Sequence, residues 1–218
     1  MANIAALLPF SSSLLATAET PPKFAALSVP PLPLRNGLPR GGITEIAGLR
    51  SSGRTAAVLH ILAQATAHGE ICAVVDTCDA FHPASAAAAG VKLSRIVWVR
   101  CGGNAEHALR AADLLLHAGG FGVITLDLCE VSPRVLNHIH YSYWYRFRQA
   151  IEHTPTALLI CASAPQAKAS IRQIELELQA PRWDGAAPFC FLQGMDIAVK
   201  VRKPMEGRIQ QLSLERTG

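Results

Sequence analysis

From Gly37 onward, continuous apolar runs alternate with segments of helical composition, and that alternation admits few folds. Ile43 to Ala47, Ile71 to Val75, Ile96 to Val99, Val123 to Leu128 and Ala157 to Cys161 read as strands. Between them, Thr55 to His68, Pro83 to Ala89 (with Gly90 as its stop), Ala105 to His117 (closed by Gly119-Gly120) and Pro133 to His153 predict helices. Strands that are apolar throughout must be covered on both faces, so the fold expected is α/β with a mostly parallel sheet. Phe189 to Leu192, Ile197 to Val201 and Ile209 to Leu214 predict further strands, with Gly194 and Gly207 in the turns, forming an antiparallel C-terminal extension. Residues 1–35 hold Pro9, Pro21, Pro22, Pro30, Pro31 and Pro33 and predict a Pro-rich arm or linker, leaving 36–218 as one core domain.

Half of the 218 residues are hydrophobic and 17% are charged, which excludes a disordered chain. A net charge of +4 permits contact with nucleic acid without requiring it. The cysteines at 72, 78, 101, 129, 161 and 190 form no C-x-x-C pair and have no histidine at zinc-ligand spacing. They read as small buried hydrophobes in a reducing compartment. Ala5 to Leu8 and Leu14 to Ala18 are apolar but interrupted, and no basic residue precedes them, so no secretory signal is expected. No run approaches the ~20 apolar residues that span a bilayer. A cytoplasmic protein without membrane contact is the expectation.

The join between the first strand and the first helix is Gly48-Leu49-Arg50-Ser51-Ser52-Gly53-Arg54-Thr55, one residue away from the phosphate-binding pattern G-x-x-x-x-G-K-[ST]. Such a loop works because successive backbone N–H groups and a helix N-terminus point at one anion. The candidate nucleotide-binding residues are therefore Gly48, Leu49, Arg50, Ser51, Ser52, Gly53, Arg54, Thr55 and Ala56. Arg54 replaces the lysine; it keeps the charge on a longer, planar fork. Thr55 and Asp127 are candidate Mg²⁺ ligands, and a carboxylate ending an apolar strand is costly without a metal or hydrogen-bond partner. Ligands of open parallel sheets sit at the carboxyl ends of strands. The loop, the segment after Val75 and Asp127 all fall there and should converge.

Gly37-Leu38-Pro39-Arg40-Gly41-Gly42-Ile43-Thr44-Glu45-Ile46-Ala47-Gly48, followed by Ser51-Ser52-Gly53, resembles the first core strand and phosphate loop of RecA/Rad51-type recombinases. The resemblance runs through Ala73-Val74-Val75-Asp76, Pro83, Ala89-Gly90-Val91 and Ala108-Leu109 to Val123-Ile124-Thr125-Leu126-Asp127, or roughly residues 35 to 130. It implies a RecA-like P-loop core, ATP and Mg²⁺ as ligands, single-stranded DNA as partner, and self-association. The chain looks most like the reduced RecA-like proteins of the ImuA/SulA group. That likeness implies an accessory role in DNA repair and the SOS response, with a repair polymerase or recombinase as protein partner.

Departures from the family pattern carry their own implication. The family's water-activating glutamate falls two residues after the aspartate of the second strand, which here is Cys78. A neutral thiol does not accept a proton from water as a carboxylate does, and neighbouring Asp79 points the other way in an extended segment. Efficient ATP hydrolysis is therefore not expected. His82 and Ser85 fall where family members flank the adenine, without the usual residue types. Two other readings stay open: a working ATP-dependent recombinase, and a protein-binding domain like the cell-division inhibitor SulA, without nucleotide.

Tyr141-Ser142-Tyr143-Trp144-Tyr145 leads into Arg146 and Arg148, and rings among cations suit single-stranded DNA. On a helix only part of this cluster can share a face, so core packing must claim some of it. Candidate DNA or partner contacts are Arg134, Tyr143, Trp144, Arg146 and Arg148, with Lys168 and Arg172 in Ala162 to Trp183, the place of the family's second DNA loop. Within that stretch Ile171, Ile174, Leu176 and Leu178 predict an ordered helix or strand edge. The basic group Lys200, Arg202, Lys203 and Arg208 reads as solubilising charge.

Overall fold

A computed structural model describes residues 24–215 except 33, 35, 186–188 and 205–208. The N-terminal apolar stretches, Gly207 and Arg208 lie outside the described residues. The elements are β1 (Gly42–Gly48), α1 (Arg54–Ala67), β2 (Cys72–Asp76), α2 (Pro83–Ala88), β3 (Ile96–Arg100), α3 (Ala105–Ala118) and β4 (Val123–Asp127). They continue as α4 (Pro133–His138), α5 (Ser142–Ile151), β5 (Ala157–Ala162), β6 (Arg172–Asp184), β7 (Phe191–Lys203) and β8 (Ile209–Glu215). All eight strands form one sheet in the order β3-β2-β4-β5-β1-β6-β7-β8. Pairing is parallel from β3 through β6 and antiparallel for β6–β7 and β7–β8. The expected α/β architecture with its antiparallel extension is the one observed.

Alternation along the buried strands divides the core in two. Ile46, Val74, Val123 and Leu159 join α1 on one side. Val75, Ile124, Leu158 and Ile160 join α3 and α5 on the other. Leu27, Val29, Leu32 and Leu34, from the Pro-rich N-terminal stretch, are buried in the first of these clusters. A bridge between Leu27 and Leu38 holds them there.

Three features differ from expectation. The helix predicted over 133–153 is two helices, because Ile139 is extended (φ −64°, ψ 114°) and packs on the second core. The His140 ring then takes up the Ser142 hydroxyl at 2.7 Å, and no glycine or proline marks the break. The stretch in the place of the family's second DNA loop, predicted as an ordered helix or strand edge, is mostly strand β6, interior to the sheet between β1 and β7, with Ile174 and Leu176 buried. Finally, Gly194 lies inside one long β7, not in a turn. A register shift opposite it, between Arg182 and Trp183, bends the pair. The Leu214 carbonyl and the Arg182 guanidinium occupy the space a side chain at 194 would need.

Candidate nucleotide and metal site

Parallel register aligns the strand ends that matter. Asp76 pairs with Asp127, Asp127 with Cys161, and Ala47 with Ala162, so the end of β1 and the ends of β2, β4 and β5 share one edge. The chain leaves β1 at Gly48, where an added Cβ would lie 2.5 Å from both the Leu176 carbonyl and the Ser52 hydroxyl. Ser51 (φ 62°) and Gly53 (φ 87°) are left-handed, which coils the loop back on itself before α1 begins. Ile197 and Leu214 crowd the position of a side chain at 53, so β7 and β8 back the loop. No side chain caps the start of α1, which leaves its first amides for an anion.

Arg54 is 6% exposed, and its buried Nη1 has no hydrogen-bond partner; the buried Ser52 hydroxyl has none either. Buried polar groups are normally satisfied, and a guanidinium most of all. A cation and a hydroxyl left open beside uncapped helix amides fit a phosphate group, so the residues present suit the anion that the loop pattern implies. Thr55 and Ala56 are exposed on the first turn of α1. Leu49 points outward, and Arg50 forms an ion pair with Glu130 across the mouth.

Burial pushes the Asp127 carboxyl above its ordinary range; the Cys129 N–H, at 2.9 Å, opposes this, the charge of Asp76 adds to it, and Arg54 lowers it. The folded chain therefore holds this proton more tightly than the unfolded chain does. Ionised Asp127 costs stability above its folded pKa, and that cost disappears as pH falls to the unfolded value. Asp127→Asn is expected to raise the thermal midpoint at neutral pH. The gain should shrink to nothing near the pKa of a free aspartate, as read by circular dichroism melts across pH.

The neighbouring groups are engaged elsewhere. Asp76 accepts from the Ala80 and Phe81 amides at 2.9 Å and from the Trp98 indole at 3.1 Å, so it organises its own loop. Asp79 grips Arg100 with both oxygens at 3.0 Å. Burial, then the charges of Asp127, Asp76, Glu130 and Asp79, push the half-buried Cys78 thiol up and keep it protonated. His82 caps α2 and contacts the Ser85 hydroxyl at 2.9 Å. Ser85 lines an apolar hollow of about 290 Å³ with Ala56, His60 and Leu212.

The aromatic–basic cluster divides by face. Trp144, 2% exposed, and Phe147, 0%, are core residues, so Trp144 offers no ring to a ligand. Arg146 pairs with Asp113 at 3.0 Å and lies over the half-buried Tyr143 ring. Arg148 lines a separate hollow with Tyr145, and Arg134 is exposed on α4. Lys168 instead lines an open groove of about 650 Å³, with His138, His140 and Lys203, between the α4–α5 break and the β5–β6 loop. Arg172 is half-buried at the start of β6. Of the C-terminal cations, Lys200 pairs with Glu177 and Arg202 with Glu175.

Two features of the site escaped the sequence reading. Glu45, fully buried in β1, accepts from the Gln166 amide at 2.5 Å, the Ala167 amide at 3.0 Å and the Gln173 side chain at 2.6 Å. It fastens the loop that borders the groove; its signal was a lone carboxylate inside Ile43-Thr44-Glu45-Ile46. Cys129 and Cys161 come together beside Asp127 from two different elements, which spacing along the chain does not reveal.

The RecA N-terminal domain family matches residues 32–135, just under half of the chain. Over that segment the chain is similar to the N-terminal domain of RecA-type recombinases. It is 41% identical over 100 residues to the mitochondrial DNA repair protein recA homolog of Dictyostelium discoideum, spanning 45% of this chain and 22% of that one. It is 43% identical over 99 residues to Protein RecA of Cutibacterium acnes, spanning 45% and 28%. The matched region is thus about a quarter of these relatives' length. In fold, the chain resembles the RadB recombinase, with a TM-score of 0.57 at 15% identity over 81% of this chain and 87% of that one. A KaiC-like protein from Pyrococcus horikoshii OT3 gives 0.55 at 14% identity, over 82% and 87%. Among the described residues no helix is long and apolar enough to cross a membrane.

Proposed function

We propose that this chain is a RecA-like accessory protein of DNA repair and the SOS response. It holds ATP in a degenerate phosphate loop, hydrolyses it slowly or not at all, and binds single-stranded DNA or a repair polymerase or recombinase. The observation that carries this reading is the buried Arg54 guanidinium, open at Nη1 inside a coiled loop, with a thiol, Cys78, at the position where the family resemblance puts a general base. Phosphoryl transfer depends on placed cations and an oriented water. Here Gly48 to Thr55 would hold the phosphates, while Thr55 and Asp127 would hold Mg²⁺, whose part is to neutralise phosphate charge. Asp76 and Asp79, committed to their own loop and to Arg100, supply no substitute base.

The groove lined by Lys168, Lys203, His138 and His140 supports the binding half of the proposal. Its cations suit phosphates or an acidic protein surface, and contact there would weaken with salt. The likeness to the ImuA/SulA group favours an accessory role, and the loss of the glutamate position weighs against a working recombinase. The test is ATP turnover by the full chain with and without single-stranded DNA. Turnover near background in both conditions is expected, together with measurable nucleotide binding. Strong DNA-stimulated hydrolysis would instead identify a recombinase, and binding of neither ATP nor DNA would leave a protein-binding domain.

A further inference from the structure

Asp127, Cys129 and Cys161 each present one ligand atom, and the three atoms lie within 4.8 Å of one another. Backbone bonds hold them together. The Leu128 N–H donates to the Cys161 carbonyl at 2.8 Å, clamping the loop after β4 onto β5. The Cys129 N–H donates to Asp127 Oδ1 at 2.9 Å. The two sulfurs are 3.0 Å apart.

We propose that these three side chains form a site for one thiophilic divalent cation of the zinc class. Metal–ligand lengths of about 2.3 Å to sulfur and 2.0–2.2 Å to oxygen set tetrahedral ligand separations of roughly 3.5–4 Å. The three donor atoms lie within 4.8 Å of one another, and the sulfurs, 3.0 Å apart, must open to that separation, for which half-buried Cys129 sits on the loop after β4. On binding, each thiol passes its proton to solvent. Two thiolates and a carboxylate carry −3 against the cation's +2; the charge of Arg54 offsets the remainder and that of Asp76 adds to it. Three protein ligands leave the fourth position for water, as open sites do.

A disulfide would use the same two sulfurs but would not draw on the carboxylate, the third donor of the cluster. The two sulfur donors select a thiophilic cation over Mg²⁺, which takes oxygen ligands; Asp127 is the one side chain shared with the Mg²⁺ position proposed above. The inference does not depend on nucleotide binding and is tested without nucleotide.

The reduced full chain is titrated with Co²⁺ as a probe for Zn²⁺. One equivalent should bind with thiolate-to-cobalt charge-transfer absorption and be displaced by Zn²⁺. Cys129→Ser and Cys161→Ser should each weaken uptake by about 100-fold or more, since even outer-shell changes cost metal sites 10–100-fold. Cys190→Ser, on an exposed residue, should leave uptake unchanged. Because a serine in β5 could unfold the chain, alkylation of the wild type gives a second reading. Zn²⁺ should protect Cys129 and leave Cys190 reactive. Absence of charge-transfer absorption, uptake that survives both serines, equal protection of Cys190, or a Cys129–Cys161 disulfide formed in place of metal uptake would overturn the proposal.

Discussion

Phe147→Ala is expected to cost about 3–5 kcal/mol of folding stability, a large share of what a domain of this kind possesses. The ring is fully buried, meets Trp144 edge-on at 6.0 Å and Tyr143 at 6.1 Å, and anchors α5 in the second core. Two residues earlier, Tyr145 is 53% exposed on the same helix, and Tyr145→Ala should change stability by no more than about 0.5 kcal/mol. The contrast comes from helical geometry, since residues 144 and 147 share a face that 145 does not. Urea denaturation of both variants checks it. Similar small losses for the two would mean that α5 does not pack as described and that its aromatic residues are free for another purpose.

Glu45→Leu should be nearly as damaging. The carboxylate is the acceptor for two backbone amides and one side-chain amide, and each buried donor left unmade costs about 1–3 kcal/mol. Half-buried Gln173 can turn to water, but the Gln166 and Ala167 amides belong to the loop itself. A net loss of about 2–4 kcal/mol is expected, smaller than the full sum because a buried charge is removed as well. Glu45→Gln, which keeps an acceptor oxygen, should cost less. Hydrogen exchange supplies the specific reading: protection at Gln166 and Ala167 should fall in the leucine variant. Unchanged protection there would detach Glu45 from the loop.

The parallel core was legible because its strands are apolar from end to end, a pattern that only burial on both faces accommodates. The coiled turn from Gly48 to Gly53 was legible for a different reason, because glycine and serine at fixed offsets encode backbone conformation directly. Ser51 and Gly53 are left-handed where the pattern requires it. What could not be read depends on tertiary contact. The break at Ile139 arises from core packing, without a local breaker. Strand β6 read only as an ordered helix or strand edge, because Gln173, Glu175 and Glu177 alternate with Ile174, Leu176 and Leu178 on a less covered stretch of sheet. The Cys129–Cys161 pair joins residues far apart in sequence.

The proposed function requires residues 48–55 to close around a phosphate, with the Arg54 guanidinium as its charged partner. Calorimetric titration of Mg·ATP into the wild type and into Arg54→Ala tests this most directly. Saturable one-to-one binding is predicted for the wild type. The variant should bind about 10–100-fold more weakly, the worth of a charge-assisted hydrogen bond. No binding by the wild type, or equal affinity in the two proteins, would contradict it.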